Sequence, residues 1–512
     1  MSDLHLAEIK IGDSDNILNN LKKYLTGEQK EGVQLHQSEN KIYTSMLELG
    51  RRVLQEYVNG LTPENNNKLI TNSQGNVLPY KKTAVKEYLS IFGPIEIQRP
   101  YYWKEGCVSG IHPLDGQLNL PEGKFSYALQ DMTLSLLASC PYQEALDTVE
   151  KFFKIRLWPK AVQTMVFRAS IYVDRFYKEV KNYDKPECPV IAVAMDCKGI
   201  PMVPAERSEI NGQKQAKVRR EKGDKRKGLR RDAVVTTHFT FSPSPRTPQD
   251  LLKALMKQHT VEEKQEYKRQ KKERKGNGEI EPREPINKQV HAAMDGKISA
   301  FERLADQIYR RNTSEDKKII VLIDGASSLE NRFREEMQKR KWTNRVDAYI
   351  LDIFHASEYL WSAGTALYGE KNPERQKWVT EKLLAILEGK IGRVVGALRQ
   401  ILKKDKRRLN GGQNKTLETT ITYFENHKHM MRYNDYLNKG YPVGTGVVEG
   451  ACGCLVKDRT DRSGMKWSSE GAQAILNLRA VKQNKDWDKY FAYYVEMERK
   501  RLYENEVPGF VI

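Results

Sequence analysis

Three stretches of the chain, the first two continuously apolar, read as strands that each stop at an aspartate. Val190-Ile-Ala-Val-Ala-Met195 runs into Asp196, Lys318-Ile-Ile-Val-Leu-Ile323 into Asp324, and Asp347-Ala-Tyr-Ile-Leu351 into Asp352. Short continuous runs of this kind suit strands buried on both faces. Acids at their carboxyl ends stand where α/β sheets place their sites. Ile200 to Pro204 predicts a short return strand. Ala233-Val-Val-Thr-Thr-His-Phe-Thr-Phe241 predicts a third strand, closed by Ser242-Pro-Ser-Pro-Arg-Thr-Pro248. A helix is expected from Ser327, and an amphipathic helix over 287–312.

Elsewhere the apolar period is helical. Residues 1–180 read as mostly helical, with Asn40 to Tyr57 and Tyr127 to Phe153 the clearest segments. Between these, Glu87 to Trp103 alternates around Gly93-Pro94 like a small hairpin. Leu157 to Phe176 could form the second half of a helix-turn-helix. Residues 356–438 are helical throughout, and Ser468 to Tyr503 carries two more amphipathic helices. Residues 249–285 are charge-rich, an insertion read as partly helical. No run approaches the roughly 18 apolar residues a membrane span needs.

The stretch Tyr441 to Trp467 changes the picture. Pro442, Gly444 and Gly446 make a turn, Thr445 is a plausible N-cap, and Val447, Val448, Ala451, Leu455 and Val456 recur at helical spacing. Glu449 then sits in a first helical turn. A lone acid there is ordinarily a favourable partner of the helix dipole.

Charge points to a polyanion. The 512 residues hold 86 Lys and Arg against 67 Asp and Glu, a net charge of +19, and such an excess favours nucleic acid. Lys214 to Arg231 alone has ten basic residues; it is either a solvated loop or a grip on phosphate. The six cysteines are scattered and form no CxxC, so neither a disulfide framework nor a zinc site is expected. The first residues lack a charged-then-apolar signal pattern, which predicts a cytoplasmic protein, nucleoid-associated when on DNA.

The order of strands, inserted segment, helix, two further strands and a late acid-bearing helix matches a ribonuclease-H-like domain. In that arrangement Asp196 and Asp324 lie side by side and Glu449 arrives from a helix packed against the sheet. Three carboxylates so close repel one another unless a cation compensates. Hard oxygen ligands suit Mg2+ or Mn2+. Two such ions roughly 3.5–4 Å apart can serve an in-line phosphodiester displacement.

The chain resembles a DDE transposase of bacterial insertion sequences, of the ISKra type within the Mutator-like group. The resemblance runs through Phe92-Gly93, Arg99-Pro-Tyr-Tyr, His112-Pro-Leu-Asp115, Arg231-Asp-Ala-Val-Val, Arg246-Thr-Pro248 and Val321 to Ala326. Its strongest parts are Ile350 to Trp361 and Met431 to Leu437, and it is completed by Tyr441 to Trp467 and Ala472 to Ala480. It implies Asp196, Asp324 and Glu449 as catalytic and metal-binding residues, with two Mg2+ or Mn2+ ions. Asp352 and His355 would be its accompanying Asp-x-x-His element, and Asp352 is the alternative second ligand. His355 would orient a carboxylate or touch DNA. Lys225, Arg226, Lys227, Arg230, Arg231, Lys457, Arg459, Arg462 and Lys466 are candidate DNA contacts. Two departures stand out: Cys107 lacks the paired cysteines of relatives, and Cys454 stands where His is expected.

The expected organisation is a multidomain α/β protein. A mainly helical region over 1–185 would bind DNA ends. The first part of the catalytic domain would span 186–355, with a charged insertion at about 205–285. An all-α insertion over 356–440 and a completing segment over 441–512 would follow. The expected activity is cleavage at element ends and joining of the 3′-ends to target DNA, with a homodimer or higher assembly at synapsis. A nuclease or resolvase without strand transfer, or an inactive copy that only binds DNA, are the alternatives.

Overall fold

A computed structural model describes residues 12–504 apart from 32–33, 62–68, 72–74, 108–109, 180–182, 184, 205–228, 259, 278–282, 314–315, 406–407 and 463. The chain divides into two compact units, Met1–Phe176 with Asp486–Ile512, and Tyr177–Lys485.

In the first unit, strands β1 (Ile70–Thr71) and β2 (Val77–Leu78) pair, and β3 (Tyr80–Ser90) and β4 (Gly93–Tyr102) form a hairpin that starts earlier than the expected Glu87 and turns at Ile91-Phe92, with Gly93-Pro94 paired inside β4. Ile95 and Ile97 of β4 pack with Val58, Leu114 and Leu120. The helix Leu35–Gly60 is tied to β4 by Gln55, whose amide both donates to the Glu96 carbonyl (2.7 Å) and accepts from its N–H (2.9 Å). The helices Tyr142–Phe153 and Pro159–Ser170 follow one another around the predicted helix-turn-helix. The final helix, Trp487–Tyr503, belongs to this unit, whereas the segment 441–512 was expected to complete the catalytic domain. The cause is its buried aromatic face: Tyr494 donates to Gln130 (3.1 Å), Trp487 to Asp131 (2.6 Å) and Tyr490 to the Ala169 carbonyl.

The second unit is built on a mixed five-stranded sheet in the order β7-β6-β5-β8-β9. β5 (Val190–Pro201) and β6 (Arg230–Phe241) are antiparallel, as are β6 and β7 (Ile286–Ala293). β8 (Lys318–Ile323) and β9 (Val346–Leu351) run parallel to β5. One face carries Ile191, Val193, Met195, Ile319, Val321 and Ile323. The helices Lys297–Arg311 and Ser327–Lys339 cover it through Phe301, Leu304, Ile308, Leu329, Phe333 and Met337. No described helix is long and apolar enough to cross a membrane.

Two expectations are corrected here. Ile200 to Pro204 is not a separate return strand; β5 continues past Asp196 to Pro201 because β6 supplies its ladder throughout. The segment 287–312 is a helix only over Lys297–Arg311, since Ile286–Ala293 forms the sheet edge β7. That edge is blunted by side chains of the helix Ser469–Gln483 and its end. Gln473 accepts from Met294 N–H (2.6 Å), and Asn484 pairs with both backbone groups of Val290 (2.8 and 3.1 Å). Unpaired edge groups otherwise template association.

Five helices fill most of residues 353–438: Ile353–Tyr368, Pro373–Leu387, Ile391–Asp405, Gly411–His427 and Tyr433–Asn438. The acid-bearing helix follows as Gly446–Ala451, continues as a π-helical turn over Cys452–Lys457, and ends in Asp458–Thr460.

Candidate functional site

Met195, Ile323 and Leu351 occupy one register row across β5, β8 and β9. The next residue in each case is aspartate: Asp196, Asp324 and Asp352. Asp324 and Asp352 are the first residues past the ends of β8 and β9, whereas Asp196 lies within β5, where side chains alternate, and so faces away from Met195. On β5 that face presents Ala192 and Ala194, whose small side chains leave room for the acid-bearing helix.

Each aspartate is held differently. Asp196 accepts from the N–H of Cys197 (2.6 Å) and from the thiol of Cys452 (3.1 Å). Burial, and then the Asp196 charge, push the Cys452 thiol well above its ordinary range, so it stays a donor. Asp324 turns back onto the Ala326 N–H (2.9 Å). Its own carbonyl accepts from Tyr423 (3.0 Å), and His427 Nε2 stands 2.8 Å from the Gly325 carbonyl. Asp352 is fully buried and caps the helix Ile353–Tyr368 through Phe354 N–H (2.8 Å).

The acid-bearing helix meets Asp352 because the chain before it is strapped across the end of β9. Tyr433 and Tyr436 donate to the Leu351 and Tyr349 carbonyls (2.9 and 3.0 Å), and Ile353 N–H donates to Val443 (3.0 Å). Gly440, at φ +74, lies so close to Ser244 that a Cβ would stand 2.3 Å from its backbone nitrogen. Thr445 follows. Its carbonyl accepts from Val448 and Glu449 as an N-cap's would, but its side chain does not cap the helix. The hydroxyl instead contacts Asp352 Oδ2 and lies 3.1 Å from Glu449 Oε1.

Asp352, His355 and Glu449 are the group among the described residues whose ligand atoms all lie within 4.8 Å of one another. His355 Nε2 is 3.8 Å from Glu449 Oε1, and its Nδ1 is 3.4 Å from Glu358. Burial pushes Asp352 up to about 6; the bonds from Thr445 and Phe354 oppose the rise and the Glu449 charge adds to it. A threonine hydroxyl has one hydrogen, yet Thr445 faces two carboxylates. The hydroxyl can serve only one of them at a time, and two acids with an imidazole so close together are groups that could hold a cation. Glu449 joins Asp352, while Asp196 and Asp324 lie in the same row outside this group.

The basic candidates divide. Lys457, Arg462 and Lys466 are exposed. Arg230 bonds the Gly199 carbonyl (2.9 Å) and pairs with Asp461, and Arg231 donates to Ser469 (2.9 Å). Arg459 is fully buried, its guanidinium 4.9 Å over the Trp467 ring, so it is no surface cation. Lys225, Arg226 and Lys227 lie outside the described residues. Sequence reasoning missed the roles of Thr445, Cys452, Tyr423 and His427. Only Thr445 gave a local signal, and that signal pointed to a cap. In comparison with known proteins, no family model matches this chain and no curated protein matches it.

Proposed function

We propose that the protein is a divalent-metal-dependent DNA transposase of the DDE kind, cutting element ends and joining their 3′-ends to target DNA. The observation that carries this reading is the convergence of Glu449, from a distant part of the chain, on Asp352, the last of a row of three aspartates. The sheet order, with its second strand antiparallel to the rest of the central strands, supports a ribonuclease-H-like catalytic domain. On that reading the helices over 353–438 are its insertion, and the first unit engages DNA ends.

Asp352 takes the part of second acidic ligand beside Glu449, with His355 next to it. Asp196 and Asp324 line the same row and are the candidates to hold a second ion. A bound Mg2+ or Mn2+ would act as Lewis acid and lower the pKa of a coordinated water or hydroxyl. The protein's own groups do the rest. Buried Asp352 presents its carboxylate to the same pocket through the Thr445 hydroxyl. His355 Nε2 orients Glu449 Oε1. Exposed Lys457, Arg462 and Lys466 bind phosphates flanking the scissile one. Synapsis of two ends implies at least a dimer.

The test is metal-dependent cleavage and joining on labelled DNA carrying the element's termini, with Ala at Asp196, Asp324, Asp352 and Glu449 in turn. Loss of product with DNA binding retained is expected for each, and an unaffected variant removes that residue from the site. Nicks without joined product would favour a nuclease or resolvase.

A further inference from the structure

The helix that carries Glu449 is not a regular one. After Ala451 it widens into a π turn over Cys452–Lys457 before closing again as Asp458–Thr460. A π turn shifts the ladder from i+4 to i+5, accommodates an extra residue, and recurs at functional sites. One extra residue rotates everything upstream by about 100° relative to an uninterrupted helix. The π turn therefore sets the angle at which Glu449 and Cys452 approach the aspartate row while Leu455, Val456 and Arg459 stay buried below.

Arg479, on the helix Ser469–Gln483, is buried against this turn. Its Nε donates to the Leu455 carbonyl (2.7 Å) and its Nη2 to the Cys454 carbonyl. Two successive carbonyls taken by one planar fork is a geometry that lysine cannot reproduce. The arrangement is costly: burial, and then the charge of Arg459, itself buried, disfavour the charge of Arg479. An apolar side chain would fill the same space without burying a second cation.

We propose that Arg479 is a positioning residue for Glu449, its guanidinium holding the π turn open and so fixing the rotation of the acid-bearing helix over the aspartates. Its link to metal binding rests on the function proposed above. The contact with the π turn does not.

The test uses the full chain with Arg479→Met and Arg479→Lys, checked for folding by far-UV circular dichroism. It reads hydrogen exchange over residues 444–460 and calorimetric binding of Mn2+ alone. The expected result is faster exchange confined to that segment and Mn2+ affinity lowered by about tenfold, as when groups that orient metal ligands are removed, with Arg479→Lys intermediate. Unchanged local exchange overturns the proposal. So does raised exchange with wild-type Mn2+ affinity, which would make Arg479 a mere staple between helices. If Arg479→Met does not fold, Arg479→Lys decides: wild-type behaviour in it overturns the proposal. A wild-type chain that binds no Mn2+ would sink the metal reading, and the exchange pattern would still decide the role of Arg479.

Discussion

Asp352 and Glu449 share one hydroxyl, that of Thr445, which contacts the first and lies 3.1 Å from the second. One carboxylate is buried and the other opens to solvent, so the pair is asymmetric: burial raises the inner acid and the outer one can meet an incoming ligand.

Asp352→Asn should stabilise the protein near neutral pH while abolishing metal-dependent activity. The carboxyl is raised in the folded state to about 6, above the ~3.9 of an unfolded aspartate. The folded form thus binds more protons between these values, and stability falls as pH rises through that window. The asparagine variant escapes this loss, worth about 3 kcal/mol at most above pH 6. Chemical unfolding at pH 4.5 and 7.5 checks it; an equal difference at both pH values would contradict the assignment.

Thr445→Val keeps the shape and removes the shared hydroxyl. It should cost about 1–3 kcal/mol, as expected when buried polar partners are left unmet, and Thr445→Ser should recover most of it. Equilibrium unfolding of the three proteins measures both.

Mn2+ should raise the thermal midpoint of the wild-type chain, since a ligand binding only the folded state stabilises it by mass action. Glu449→Gln should lose most of that rise without changing the midpoint in chelator. Differential scanning fluorimetry with and without Mn2+ reads the result.

The basic residues after the acid-bearing helix should separate by burial. Lys466→Gln should weaken DNA binding across sequences and reduce the salt slope by about one. Arg459→Gln should act through folding, lowering the thermal midpoint, because its guanidinium is buried over Trp467. Fluorescence anisotropy over a salt series, beside unfolding curves, distinguishes the two.

The corner at Asp324 should depend on the helix Gly411–His427. Tyr423→Phe removes the bond to the Asp324 carbonyl and should cost about 0.5–1.5 kcal/mol. Chemical denaturation measures it.

What the sequence determined by itself is local in origin. Val190–Met195 and Lys318–Ile323 are strands because runs so apolar are driven to burial, Val346–Leu351 is a strand with a buried apolar end, and each is followed by an aspartate the eye can find. The Glu449 helix was legible from its glycine-proline turn and apolar period. The edge strand β7 was not, because Asn287, Lys288 and Gln289 break the strand pattern and only pairing with β6 overrides it. Tertiary structure alone decided that Asp352 is the aspartate grouped with Glu449, that Thr445 serves two acids in place of a cap, and that Arg459 is buried while Arg479 reaches a π turn. These depend on register between strands and on the rotation of a helix against a sheet. Both are fixed by contacts between residues far apart in the chain, and no local pattern encodes them.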